Sequence, residues 1–266
     1  MSQEENSAPH TPGQTVAGAG RRHGIIRAMD SLLSGARSLL GLDLLPAQMA
    51  AFQTYADELR AWNDKINLTA IKDEAGIQIK HFLDSLSILK VVRPGGAALR
   101  VVDVGTGAGF PGLPLKIVCP EIRLTLVEAT GKKVQFCEHI VAQLKLSGVT
   151  VVKARAEEVG QQRAHREQYD WALARAVAEM PVLAEYLLPL VRRGGHALAQ
   201  KGEGAPGETH AAEGALTKLG GEIGQIVPVE LPGIVETRYL VVLKKIAATP
   251  PAYPRRPGVP AKTPLK

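Results

Sequence analysis

Val101-Val102-Asp103-Val104-Gly105-Thr106-Gly107-Ala108-Gly109-Phe110-Pro111-Gly112 is the stretch that decides the fold. An apolar run ends on an acid, glycines follow at every second position, and a bend leads into a helical pattern. In an open α/β sheet this is the turn that lets a flat nucleoside come close to the backbone, because only glycine leaves the room and tolerates the turn. Asp103 sharpens the reading. A dinucleotide would put its pyrophosphate at this turn, and a carboxylate two residues before the first glycine would repel it. S-adenosylmethionine has no phosphate; it carries a sulfonium and an ammonium, both attracted by a carboxylate. Gly107, Gly109 and Gly112 also satisfy a literal G-x-G-x-x-G, but that match starts late relative to the strand. The order acid-x-Gly-x-Gly-x-Gly therefore favours a methyl donor, bound by Asp103, Gly105 and Gly107.

Working outward, strand and helix patterns alternate. Strands are expected at 99–104, 123–128, 149–153, 170–174, 196–200, 222–229 and 239–244. Helices are expected at 111–118, 132–146, 180–191 and 208–219, with a turn at 192–195. Upstream, Leu45, Met49, Phe52, Tyr55, Leu59, Trp62 and Ile66 recur at three- and four-residue intervals, the buried stripe of an amphipathic helix. A second helix is read from Asp73 to Val92, stopped by Pro94-Gly95-Gly96. The expected fold class is α/β: a Rossmann-like, mostly parallel sheet of the class I S-adenosylmethionine-dependent methyltransferase kind, under an N-terminal helical cap. The expected layout is a disordered leader at 1–27, the cap at 28–94, the methyltransferase domain at 95–247 and a basic Pro-rich tail at 248–266.

Composition narrows the class. The chain has 266 residues, 45% apolar, which suffices for a full core. Aromatic residues are 4%, too few for base stacking to be the main binding device. Cys119 and Cys137 read as buried free thiols of a reducing compartment. No apolar run reaches the length of a membrane span, and Glu4 and Glu5 open a terminus without the apolar core of a secretory signal. A cytoplasmic, membrane-free, monomeric enzyme is expected, and no metal site is read. The formal charge is +6. No acid follows Glu236, whereas Arg238, Lys244, Lys245, Arg255, Arg256, Lys262 and Lys266 do, which suggests a polyanionic partner.

Further candidates sit at the carboxyl ends of the strands, the ligand edge of such sheets. Glu128 ends the second strand, where a carboxylate can accept both ribose hydroxyls. The Ala156-Glu157 turn follows the third, and its backbone could read the adenine edge. Arg175 and Lys201 follow the fourth and fifth, placed to steer phosphates or base oxygens. His81 and Asp84, one helical turn apart, are expected to bond each other or to touch RNA. Missing motifs matter equally. Leu173-Ala174-Arg175-Ala176-Val177 lacks the Asn/Asp-Pro-Pro-aromatic loop that holds an exocyclic amine, and neither cysteine lies where pyrimidine C5 methylation needs a nucleophile. Guanine N7 needs neither device, because its lone pair carries no proton at neutral pH.

With these residues in view, the chain resembles the bacterial small-subunit ribosomal RNA methyltransferase G family, also called glucose-inhibited division protein B. The resemblance runs from about Leu45 to the C-terminus. It rests on Trp62-Asn63-x-x-x-Asn67-Leu68-Thr69, His81-Phe82-Leu83-Asp84-Ser85, the glycine loop with its Phe110-Pro111-Gly112 ending, Arg155-Ala156-Glu157-Glu158, Ala174-Arg175-Ala176 and the tail from Tyr253 to Leu265. Many family members have serine where this chain has Ala174. The resemblance implies N7 methylation of one guanine in 16S rRNA, and S-adenosylmethionine contacts at Gly105, Phe110, the Ala156-Glu157 turn and Arg175. His81, Asp84, Lys201, Arg255 and Arg256 are the candidate contacts to RNA, the last two on a tail expected to be extended and to add little to the core. Methylation of another RNA or of a small molecule, or ligand sensing without catalysis, stay open at this point.

Overall fold

The computed structural model describes residues 29–93, 95 and 98–266. The expected leader at 1–27, and Pro94 and Gly96 of the expected helix stop, lie outside the described residues. Helix α1 (Asp30–Leu40) ends on Gly41, whose φ of 62° lets its own N–H reach the Arg37 carbonyl at 3.0 Å and the Leu42 N–H reach the Ala36 carbonyl at 3.2 Å. Helix α2 (Pro46–Asn63) opens on Pro46, where a missing N–H costs nothing, and buries Met49, Phe52, Tyr55 and Leu59 as the stripe foretells. It stops before the expected Ile66. Asn63 Oδ1 instead accepts the Leu68 and Thr69 N–H groups at 2.8 and 2.9 Å and folds the chain into a loop. A rod over residues 74–90, α3, is wound as a π-helix over Ile77–Leu83 and tightens to 3-10 over Ser87–Lys90.

Seven strands follow: β1 (Arg100–Val104), β2 (Arg123–Glu128), β3 (Val149–Lys153), β4 (Tyr169–Arg175), β5 (Val191–Lys201), β6 (Gly221–Val229) and β7 (Arg238–Lys245). Their order is β3-β2-β1-β4-β5-β7-β6, parallel from β3 to β5, with β7 antiparallel to β5 and β6. Chain order reverses between β1 and β4, so the crevice beyond their carboxyl ends is where this topology holds ligands. The linking helices are α4 (Gly112–Val118), α5 (Gly131–Gln143), α6 (Ala156–Gln161), α7 (Met180–Leu187), α8 (Ala205–Ala211) and α9 (Glu213–Lys218). The expected turn at 192–195 lies inside β5, as an irregularity against β4 between Tyr169 and Trp171. The expected helix at 208–219 is two short helices.

Side chains alternate across the sheet with period two. Val101, Leu124, Leu126 and Leu173 join α1–α5 in one apolar cluster, and Val102, Val127, Ala172 and Ala174 join α6–α9 in the other. The N-terminal helices thus share a core with the sheet: Phe52, Tyr55 and Phe82 pack in the same cluster as Val101 and Leu113.

The C-terminal segment departs from its expectation. It is folded back, with a short helix α10 (Val259–Lys262). Tyr253 and Leu265 pack on the second cluster and Pro254 is buried. Arg166 donates to the carbonyls of Thr249, Pro250 and Tyr253 at 2.7–3.2 Å. Arg255, expected on RNA, instead grips Glu185 on α7, a residue with no exposed surface, with Nη2–Oε2 at 2.7 Å and Nε–Oε1 at 2.9 Å. The reason is electrostatic: a carboxylate buried at that depth must be paired, and a planar guanidinium pairs it through two bonds. Arg256 alone of the two remains exposed. Arg255→Met strands the Glu185 charge and should cost about 3–5 kcal/mol, lowering the melting temperature by roughly 10 °C in scanning calorimetry. Deletion of residues 251–266 should cost at least as much; an unchanged melting temperature in both would contradict the docked tail.

Candidate functional site

The glycine loop leaves β1 and turns above its carboxyl end. Gly105 has φ 68°, and a Cβ there would lie 2.8 Å from Val177 Cγ2. Gly107 has φ 61° and opens onto free space; its N–H donates to Glu128 Oε2 at 3.0 Å. Glu128, 7% exposed, also accepts the Thr130 N–H through Oε1 at 2.8 Å, so two backbone donors fix it at the loop's side. Below, the buried Cys137 thiol faces the Gly107 carbonyl at 3.4 Å. Both cysteines are free and buried.

Asp103 is completely buried. Its Oδ2 accepts the Thr106 hydroxyl at 2.6 Å and the Gly112 N–H at 2.8 Å, so this oxygen caps α4. Gly112 permits the approach: a Cβ there would sit 2.9 Å from Oδ2. Oδ1 has no partner. Burial pushes the carboxyl up to about 6, against the opposing pull of the Thr106 and Gly112 bonds and of Arg175. One oxygen is therefore structural and the other is a buried acceptor without a donor, which is what a ligand ammonium would supply. With the open face of Gly107 and the carboxylate of Glu128, these residues fit an S-adenosylmethionine cradle.

Arg175 ends β4 and ties the sheet to α3. Its Nη1 donates to Asp84 Oδ2 at 2.9 Å and to the Lys80 carbonyl at 3.0 Å, Nη2 meets His81 Nδ1 at 3.2 Å, and its guanidinium carbon lies 5.0 Å from the centre of the Phe110 ring. His81 stacks on Phe110 with ring centres 4.6 Å apart, and Tyr55 stacks on Phe110 at 5.4 Å. The Tyr55 hydroxyl donates to the Ala108 carbonyl. His81 and Asp84 do not pair with each other as expected, because Arg175 stands between them as the common partner. Burial and the Arg175 charge lower His81 to about 3, so it is neutral. With Nδ1 facing a donor, its Nε2–H points to Thr69 Oγ1 at 2.7 Å. An unforeseen relay results: Asn63 holds Thr69, Thr69 holds His81, and His81 holds Arg175.

The remaining candidates divide. His81, Asp84, Arg175 and Lys201 line one cavity of about 330 Å³ between α3 and the ends of β4 and β5, together with Gln200 and Arg238. Lys201 Nζ is bound to Glu208 and the Ala178 carbonyl at 2.8 and 2.9 Å. Glu157 is buried, and its Oε1 accepts the Gly258 N–H at 2.8 Å, so its side chain secures the tail rather than facing the loop. Sequence reasoning missed Gln200 and Arg238. The signal is there for Gln200, the polar end of the otherwise apolar Ala197-Leu198-Ala199 run; Arg238 stands out in the sequence only as part of the basic end.

Comparison with known proteins decides the lineage. The family model described as rRNA small subunit methyltransferase G matches residues 48–232. The chain belongs to that family. It is 54% identical over 237 residues to Ribosomal RNA small subunit methyltransferase G of Roseiflexus castenholzii, covering 89% of this chain and all of that one, and 48% identical to its Chloroflexus aggregans counterpart, covering 89% and 98%. Among solved structures it is similar to the Pyrococcus horikoshii protein PH0793, with TM-score 0.50 and 14% identity over 62% of this chain and 63% of that one. It is also similar to a mutant of MtNAS, with TM-score 0.51 and 14% identity over 86% and 96%. The protein is a class I methyltransferase of ribosomal RNA that draws on S-adenosylmethionine. No helix among the described residues is long and apolar enough to cross a membrane.

A carboxyl raised from 3.8 to about 6 favours the fold while protonated and opposes it once ionised: its contribution is full below about pH 4 and lost as pH rises through 6. Asp103→Asn should therefore raise stability at pH 8 by up to ~2–3 kcal/mol while changing little at pH 4. Thermal melts at the two pH values check the sign.

Proposed function

We propose that this methyltransferase transfers a methyl group to N7 of one guanine in 16S rRNA, as a cytoplasmic monomer acting on the small subunit or its RNA. The observation that carries the reading is the His81 arrangement. The acceptor-side cavity meets the glycine loop at Arg175 and Phe110, and the histidine at that junction has both nitrogens engaged and its basicity suppressed. A histidine so held does not serve as a general base, and guanine N7, with its free lone pair, needs none.

Asp103 Oδ1 would take the donor's ammonium, Glu128 its ribose hydroxyls, and the Gly105 and Gly107 backbone would lie against it. Phe110 would wall the reacting end. The Ala156-Glu157 backbone would meet the adenine edge, while the Glu157 side chain keeps that turn tied to Gly258. When bound, S-adenosylmethionine supplies a methyl carbon on a positively charged sulfur. The protein's own part is to orient. Arg175 fixes the relation of α3 to β4, and Tyr55 and His81 hold Phe110 between them. Such positioning can account for up to roughly 7–11 kcal/mol of barrier lowering. His81, Asp84 and Lys201 flank the acceptor base, and Arg256 is free to meet phosphate; Arg255 is withdrawn from that role.

Two outcomes test this. Affinity for S-adenosylhomocysteine, measured by calorimetry, should be level above about pH 7 and fall up to tenfold per unit below about pH 6, as Asp103 takes up its proton. Asp103→Asn should bind weakly and lose that dependence; a wild-type affinity that is flat to pH 5 would sink the ammonium assignment. Single-turnover methyl transfer at saturating donor and acceptor should be flat between about pH 6.5 and 9. A log-linear rise abolished by His81→Ala would overturn the base-free mechanism.

A further inference from the structure

Six buried side-chain nitrogen or oxygen atoms among the described residues lack a hydrogen-bond partner. Three of them, Asp84 Oδ1, Gln200 Oε1 and Arg238 Nε, belong to residues lining the same cavity of about 330 Å³. Buried polar atoms are nearly always paired, so three together in one hollow point to a ligand that completes them. Asp84 and Gln200 are 7% and 6% exposed. Their rotamers are held by other bonds. Asp84 Oδ2 is fixed by Arg175. Gln200 Nε2 donates to the Asp84 carbonyl at 2.6 Å and to Ser87 Oγ at 3.3 Å. A carbonyl can only accept, so the amide must turn its nitrogen that way, and Oε1 is left as the free acceptor.

We propose that Asp84, Gln200 and Arg238 read the Watson–Crick edge of the target base and select guanine. The residues lining the cavity carry two unpaired acceptors and one unpaired donor. Guanine presents two donors, N1–H and the 2-amino group, and one acceptor, O6. Adenine presents a bare N1 and no 2-amino group, and would leave both acceptors unsatisfied. Cytosine and uracil each present two acceptors and one donor, the reverse of what is needed. Asp84 Oδ1 and Gln200 Oε1 accept from N1–H and the 2-amino group, and Arg238 Nε donates to O6. Enzymes that act on a single base commonly hold it in a pocket by this edge. Recognition there leaves N7, on the opposite side of the purine, open to the donor. Rejection of the wrong base follows from stranding buried acceptors, which costs more than a missing contact.

The proposal rests on the guanine-N7 reading, and the experiment separates the two. The full-length protein is given small subunits lacking the methyl group, reconstituted with guanosine or inosine at the target position, and kcat/KM is measured with the methylated atom mapped by mass spectrometry. Inosine keeps N7, N1–H and O6 and lacks only the 2-amino group. Wild type should prefer guanosine by roughly 10- to 100-fold. Whichever of Gln200→Leu and Asp84→Asn removes the acceptor of the 2-amino group should shrink that preference toward unity, and the other, which faces N1–H, should slow both acceptors alike. Arg238→Met should slow both acceptors alike and keep the preference, since O6 is common to both. Should a variant fail to fold, shown by its melting curve, the wild-type comparison still decides. Equal wild-type rates on the two acceptors, with the methyl on N7, overturn this proposal alone; so does full retention of the preference in both the Gln200→Leu and the Asp84→Asn enzyme. A methyl mapped to any other atom overturns the underlying reading and this proposal with it.

Discussion

The Arg175 guanidinium is the contact on which the site depends. It ends a core strand, yet its partners are the Lys80 carbonyl, His81 and Asp84 on the helical layer and the Phe110 ring of the glycine loop. Its side chain and that of Asp84 are 14% and 10% exposed, so the pair is largely dry. Removing two ions from water is costly and is offset only when the remaining lone pairs and protons find partners. Here the guanidinium finds them, in a carbonyl, an imidazole nitrogen and an aromatic face, while Asp84 Oδ1 is left without one. The pair is therefore better understood as a register pin than as a source of stability. It fixes where α3 lies against β4, and with it the wall between the glycine loop and the cavity that Arg175, His81 and Asp84 line.

The π-wound stretch of α3 gives the pin its purchase. Wider winding over Ile77–Leu83 turns the Lys80 carbonyl, His81 and Asp84 toward one guanidinium. The bonds behind it are ordinary ones. Asn63 orders the loop that carries Thr69, and Thr69 accepts the His81 Nε2–H that the Arg175 donor at Nδ1 dictates. A histidine locked this way and lowered to about 3 contributes shape and a neutral face to Phe110 rather than proton transfer. The same economy appears in Asp103, whose one carboxylate caps a helix with one oxygen and leaves the other without a partner.

The fold was legible because its signals are local. Alternating apolar strands, the glycine loop and the stripe of α2 each follow from spacing within a dozen residues, and the strand-end acids Asp103 and Glu128 could be placed from them. What stayed hidden is long-range pairing. No spacing rule says that Arg255 must meet Glu185 or that Glu157 must hold Gly258, since these contacts depend on which way a Pro-rich segment leaves the sheet. The basic tail looked like a solvated polycation because sequence shows its charges but not the buried carboxylate that neutralises one of them. The His81–Asp84 pair failed for a related reason: helical spacing assumes an α-helix and ignores a third residue arriving from another strand.

That tail is more than a fastening, because of where it fastens. Glu157 lies in the turn after β3, at the carboxyl edge of the sheet, and is one of the residues the tail holds. Pro254 packs over Gly160 in the same helix, so closely that a Cβ on Gly160 would come within 2.6 Å of its ring. Gln161, which ends that helix, donates to the Pro254 carbonyl at 2.8 Å. The first turn of α6 closes on Arg155, whose N–H donates to Glu158 Oε2 at 2.9 Å and whose carbonyl accepts the Glu158 and Val159 N–H groups at 3.1 Å, but a six-residue helix has little intrinsic stability. Its position, and hence that of the Ala156-Glu157 backbone, is set by what it is packed against. The C-terminal segment thus does for the β3 side of the crevice what Arg175 does for the β4 side, holding a short or unusually wound element in place.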